Sequence, residues 1–159
     1  MNENNTNWSQ SVTAVVIREG RVLLARHTYG SGKGKLILPG GYVQFGESPQ
    51  DALRREYMEE TGVAVEPEEV IGIRFNSKDW YVAFRGRYIS GEARPDGDEN
   101  CEVIWLETGE ALTREDVPGL TKALIKAATN GVKGLTETDF TANTANAPYS
   151  LYSTSGEKQ

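Results

Sequence analysis

Residues 40–63 read GGYVQFGESPQDALRREYMEETGV and hold four glutamates, Glu47, Glu56, Glu59 and Glu60, the last three within five residues. Like charges three and four apart on a helix repel, so something must compensate them. Arg55 can neutralise one carboxylate through a bidentate pair. The remaining oxygens suit a hard divalent cation such as Mg²⁺, which takes oxygen ligands, keeps several waters and is commonly shared with substrate phosphates. Ions held in this way can activate water and stabilise a phosphoryl transition state. The competing reading is a solvated acidic helix face, which is common in soluble proteins.

A helix must position these groups. Ser48 can cap its free N–H groups, Pro49 fits its first turn, Asp51 favours its N-terminus and Gly62 stops it. The helix is therefore predicted over about 49–61. At about 100° per residue, Glu56, Glu59 and Glu60 fall in one arc together with Ala52 and Leu53, while Arg54 and Met58 point away. The carboxylates share the apolar side, so they are expected to be partly buried rather than solvated. Gly40, Gly41 and Gly46 permit the close backbone approach that would bring Glu47 alongside.

The flanking chain reads as strands. SVTAVVI and VLLAR surround a turn at Arg18–Arg21, and LIL runs into Pro39-Gly40-Gly41. VIGIRF and WYVAFRGRYI suggest a hairpin across residues 76–79, with Trp80, Val82 and Phe84 on one buried face and Tyr81, Ala83, Arg85 and Arg87 on a partly polar one. CEVIWL is a further strand, and Pro118 opens a second helix through LTKALIKAA. This order implies a mixed sheet with helices on its faces, an α/β or α+β sandwich. Residues 1–10 form a polar lead-in, residues 11–131 the domain, and residues 132–159 a Thr-, Asn- and Ala-rich tail with little to bury, docked on the domain or on a second chain.

The net charge of −6 argues against broad binding to nucleic acid or to an anionic membrane. No apolar run is long enough to span a bilayer, and the N-terminus lacks an apolar signal region. A cytoplasmic location is expected. Cys101 is the sole cysteine and is expected to be a small buried hydrophobe. With His27 the sole histidine, a zinc site built from His and Cys is excluded in practice.

Gly41, Glu47, Arg55, Glu56, Glu59, Glu60 and Gly62 fall at the seven fixed positions of the Nudix box, a match expected by chance in fewer than about one window in 10⁷. The chain thus resembles the Nudix hydrolase superfamily, over roughly residues 12–128. Tyr57 departs from the pattern, standing where an aliphatic residue is usual. The resemblance implies an α/β/α sandwich around a central mixed sheet. It also implies Mg²⁺- or Mn²⁺-dependent hydrolysis of a nucleoside diphosphate linked to another group. By motif position, Glu56, Glu59 and Glu60 would hold the metal, the Gly40 carbonyl and Glu47 would add to it, and Arg55 would orient the carboxylates. The general base would be a box glutamate or a later-loop residue. Glu99 is the choice in that loop, with Asp98 and Glu102 as competitors. Dimers are frequent in such proteins, so a homodimer is one assembly to expect.

Phosphates also need cations. Arg26, His27, Lys33 and Lys35 lie on or beside the loop before the box, and Arg85 and Arg87 share a strand face with Tyr81. These are the candidate substrate contacts, with Tyr81 or Phe75 stacking a base. The bland reading is a solvated loop and ordinary strand surface. Two other functions compete: a house-cleaning nucleoside triphosphate pyrophosphatase, and a nucleotide-binding module without turnover.

Overall fold

A computed structural model describes residues 9–140 and 147–155. Its strands are β1 (Ser9–Arg18), β2 (Arg21–His27), β3 (Leu36–Ile37), β4 (Gly40–Tyr42), β5 (Ala64–Phe75), β6 (Asp79–Ser90), β7 (Asn100–Glu107), β8 (Leu135–Glu137) and β9 (Tyr152–Ser153). The helices are α1 (Pro49–Thr61), α2 (Thr108–Ala111) and α3 (Gly119–Thr129). The strands run β3-β2-β1-β6-β5-β8-β9 across a mixed sheet, with β4 paired to β1 and β7 to β2. The β1–β6 pairing is parallel, and every other pairing is antiparallel.

Alternation along β1 creates two cores. Val12, Ala14 and Val16 join Leu53 and Tyr57 of α1, Val63 and Phe84 on one face. Val15 joins Leu24, Leu36, Ala83, Ala111 of α2 and Leu124 and Ile125 of α3 on the other. The expected α/β/α layering follows directly from this period of two. Tyr57, the departure from the box pattern, is fully buried beneath the sheet, and its hydroxyl donates to the Ala14 carbonyl at 2.5 Å. Burying an aromatic ring there is acceptable because its one polar atom has a partner.

Four sequence readings are corrected. Cys101 is exposed, because the β2–β7 register shifts where Arg26 faces Glu102 and His27 faces Asn100, which bulges Cys101 out of the ladder. Trp80 is exposed at the start of β6, and the middle of β6 is covered on both faces rather than one. Strand β5 begins at Ala64, hidden in sequence by the run Glu66-Pro67-Glu68-Glu69, which the register accommodates with a shift between Pro67 and Glu69. Pro118 caps α3 from just outside it, with extended backbone, rather than standing in its first turn.

The tail resolves toward the domain. β8 pairs with β5, and β9 pairs with β8. Gln50 of α1 donates to the Ser150 and Tyr152 hydroxyls, tying the tail to the start of the glutamate helix. Residues 1–8, 141–146 and 156–159 of the lead-in and tail lie outside the described residues.

Candidate active site

Local sequence sets α1 as its caps predict. The Ser48 hydroxyl accepts from the Asp51 N–H at 3.0 Å, and Gly62 closes the helix in the left-handed region, at φ 74°. In front of the helix, β4 pairs with β1 so closely that a Cβ on Gly40 would overlap the Val12 carbonyl. A Cβ on Gly41 would overlap the Glu56 carboxylate. The two glycines therefore let the carboxylates of α1 lie directly against the β4 backbone.

The four box glutamates are not equivalent. Arg55 donates through Nε and Nη2 to both oxygens of Glu47, at 2.7 and 3.0 Å. Its Nη1 donates to Glu56 at 2.8 Å and Glu59 at 3.3 Å, and Nη2 also reaches the Tyr42 carbonyl at 3.1 Å. Arg55 was expected to compensate one carboxylate; it compensates three. The Glu59 carboxylate is exposed, contrary to the expected partial burial. Glu60 is 3 % exposed and has no arginine. Its carboxylate accepts one N–H, from Gly40 at 3.3 Å.

Electrostatics follow this geometry. Arg55 holds the Glu47 carboxyl below its ordinary range. Desolvation pushes Glu56 up despite its bond to Arg55, and Glu59 and Glu99 add to the push. Glu60 is pushed up to about 8, first by burial and then by the Glu56 charge, with Glu99 and Asp96 contributing. Two neighbouring carboxylates that both resist ionisation are short of positive charge.

That shortage is the test for a metal. The donors are hard oxygens at Glu56 and Glu60, framed by the Gly40–Gly41 backbone, and a hard divalent cation fits them. Among the described residues, no group of three or more Asp, Glu, His or Cys side chains is already gathered as a cage. Arg55 instead gathers Glu47, Glu56 and Glu59 around its guanidinium.

The loop before β7 reaches the same place. Asn100, 1 % exposed, donates to the Glu60 backbone carbonyl at 3.0 Å. Its amide oxygen accepts from Asp96 N–H at 3.2 Å, and its own N–H donates to Asp96 Oδ1 at 3.1 Å. Thr28 N–H donates to the Glu99 carbonyl, and the Thr28 hydroxyl to that of Asp98. Glu99 is thereby held near enough to raise both Glu56 and Glu60. Glu102, its competitor, is paired with Arg26 at 3.0 Å on the β2–β7 ladder, and Asp98 is exposed.

Asn100 is the main residue that sequence reading missed. Its only signal was an uncharged amide ending the acidic run DGDEN immediately before a strand. Asn100→Ala should lower stability by about 1–3 kcal/mol, the cost of leaving buried polar groups unsatisfied. It should also reduce turnover by loosening residues 96–99. Denaturant unfolding and initial rates check both, and unchanged values in each would remove its stapling role.

The candidate substrate contacts divide. Arg26 is engaged by Glu102 and Asp116 and donates to the Gly34 carbonyl. Arg85 is engaged by Glu69 and by the Ala128 and Val132 carbonyls. Free phosphate cations are therefore not what the fold presents at these two positions. Arg87 faces Glu68 at 3.5 Å on exposed surface. Tyr81 is half-buried beside the α3-side core with the Arg74 guanidinium 5.0 Å from its ring centroid. Exposed Phe75 meets Trp80 edge-on at the hairpin end. Lys33 and Lys35 are exposed on the 27–35 loop, where His27 stacks on Tyr29 at 5.9 Å.

Comparison with known proteins agrees with this architecture. The NUDIX domain family model matches residues 8–126. A MutT-like protein of Streptomyces ambofaciens is 38% identical over 67% of this chain and 68% of its own length. The NAD-capped RNA hydrolase NudC of Photobacterium profundum is 33% identical over 64% of this chain, which spans only 39% of that protein. A Nudix hydrolase structure from Nitrosomonas europaea superposes with a TM-score of 0.68 at 25% identity, covering 80% of this chain and 92% of its own. The chain belongs to the Nudix family and is a pyrophosphohydrolase of that class. Among the described residues, no helix is long and apolar enough to cross a membrane.

Proposed function

We propose that this chain hydrolyses a pyrophosphate bond in a nucleoside diphosphate linked to a second group, with a bound divalent cation, Mg²⁺ or Mn²⁺. The observation that carries this reading is the buried Glu60 carboxylate beside Glu56, short of positive charge and framed by Gly40 and Gly41. Glu56 and Glu60 would hold the ion, with the Gly40 carbonyl, Glu59 and Glu47 around it. When bound, such an ion polarises phosphoryl oxygens and acidifies water.

The chain's own residues do the rest. Arg55 fixes Glu47, Glu56 and Glu59 relative to one another, so that the carboxylates are ordered before substrate arrives. Glu99, carried on the loop that Asn100 staples to α1, would take the proton from the attacking water. Lys35 would meet the outer phosphate charge from the facing loop, and His27, kept neutral because burial pushes its imidazole down, would offer that phosphate a hydrogen bond. A second reading, open from the sequence onward, is cleavage of a nucleoside triphosphate to monophosphate and pyrophosphate.

The test is release of phosphate from a panel of ADP-ribose, NADH, sugar nucleotides, dinucleoside polyphosphates and triphosphates, with and without a coupling phosphatase. Activity on a two-part diphosphate should stop with chelator and return with excess Mg²⁺. Preferred cleavage of triphosphates would favour the second reading. Turnover that survives exhaustive chelation would sink the metal assignment.

A further inference from the structure

A cleft of about 410 Å³ lies beside the box, lined by Gln10, Tyr42, Gln44, Phe45, Gly46 and Glu47 among others. That volume is in the range of small-ligand sites. It shares a wall with the carboxylate cluster, because Glu47 is held by the same Arg55 that holds Glu56 and Glu59. Its rim presents two aromatic rings to solvent, Tyr42 and the fully exposed Phe45. Neither ring contributes to the two cores, so folding does not explain them.

The loop that carries them is ordered by its own bonds. Val43 N–H donates to the Gln10 carbonyl at 2.8 Å, Gln44 N–H to Glu47 Oε2 at 3.0 Å, and Glu47 N–H back to the Gln44 carbonyl at 3.0 Å. A cleft ordered in advance loses little entropy on binding. Its chemistry is not that of a phosphate site. No lysine or arginine is among its described lining residues, and its one carboxylate is already paired with Arg55. The Gln10 and Gln44 amides can both donate and accept, which suits the edge of a base, and aromatic rings suit its face.

We infer that this cleft holds the nucleobase of the substrate's nucleoside half, with Phe45 and Tyr42 as stacking groups. The inference rests on the proposed two-part diphosphate reaction: the charged diphosphate lies at the carboxylates, and the uncharged aromatic head lies across Glu47 from them. Base–aromatic stacking is sequence-tolerant, so the cleft would select nucleotides over sugar phosphates rather than one base over another.

Calorimetric titration of the full chain in chelator, with AMP and with ribose 5-phosphate, tests the base contact apart from turnover. AMP should bind at least about 5-fold more tightly than ribose 5-phosphate, and Phe45→Ala and Tyr42→Ala should each erase most of that difference. Phe45→Trp should keep it. Both rings are exposed, so these variants are expected to fold, and circular dichroism checks that they do. Equal binding of the two ligands by wild type, no measurable AMP binding, or AMP affinity unchanged in both alanine variants would overturn the inference. Ring-dependent AMP binding without turnover on the panel would instead count against the proposed reaction while leaving the cleft assigned.

Discussion

Glu60→Gln is expected to reduce turnover by several orders of magnitude and, in chelator at pH 8, to raise the melting temperature. The two effects have one origin. Glu60 is buried, receives one N–H from Gly40, and stands beside Glu56 with no arginine of its own. Its folded carboxyl is raised to about 8 from an ordinary 4.5. A raised folded value means that the native state favours the protonated form. The corresponding stability is fully present below about 4.5 and is lost as pH rises through about 8. At about 1.4 kcal/mol per unit, the loss is bounded by about 5 kcal/mol. Glutamine has nearly the same shape and never ionises, so it escapes this loss. A net gain of about 2 kcal/mol would raise the melting temperature by about 4–8 °C in a domain of this size. At pH 4.5 the difference between the two proteins should close.

Added Mg²⁺ should reverse the order. Ligand that binds only the native state stabilises by mass action, and the wild-type carboxylate would bind it while the amide would not. Melting curves of both proteins at pH 4.5 and 8, with chelator and with Mg²⁺, give eight measurements. Wild type more stable than the variant in chelator at pH 8 would mean that the Glu60 carboxylate has a cationic partner other than metal. Substantial Mg²⁺-dependent turnover by the variant would remove Glu60 from the metal site.

The legible parts of this molecule were those fixed by local rules. The α1 boundaries followed from Ser48, Pro49 and Gly62, and the layering from alternation along β1. What escaped depended on partners far away in sequence. Glu56, Glu59 and Glu60 share one helical arc, yet only the fold decides that Glu60 lies under Gly40 while Glu59 stays in solvent. Arg26 and Arg85 are cations in any sequence reading. Their ion pairs with Glu102, Asp116 and Glu69 bridge separate elements and have no local signature. Strand β8 pairs only because β5 offers it an open edge at Glu69 and Val70, which the tail's composition does not announce.

Glu99→Gln should slow turnover by about 10²–10⁴-fold, the usual contribution of a positioned general base, with Mg²⁺ affinity nearly unchanged. The separation of these two effects is the informative part. Glu99 raises Glu56 and Glu60 by its charge but stands on a different element, held through its backbone carbonyl by Thr28. Removing its charge should ease ionisation of both of those carboxylates. A rate loss with intact metal binding therefore points to proton transfer rather than to metal loss. Glu102→Gln serves as the control, because Glu102 is engaged by Arg26. Its effect should fall on stability, by about 1 kcal/mol or less for a part-exposed pair. A mild rate effect in Glu99→Gln alongside a large one in Glu56→Gln, at saturating Mg²⁺, would move the base into the helix. The 94–100 loop would then be left as a support for α1 through Asn100.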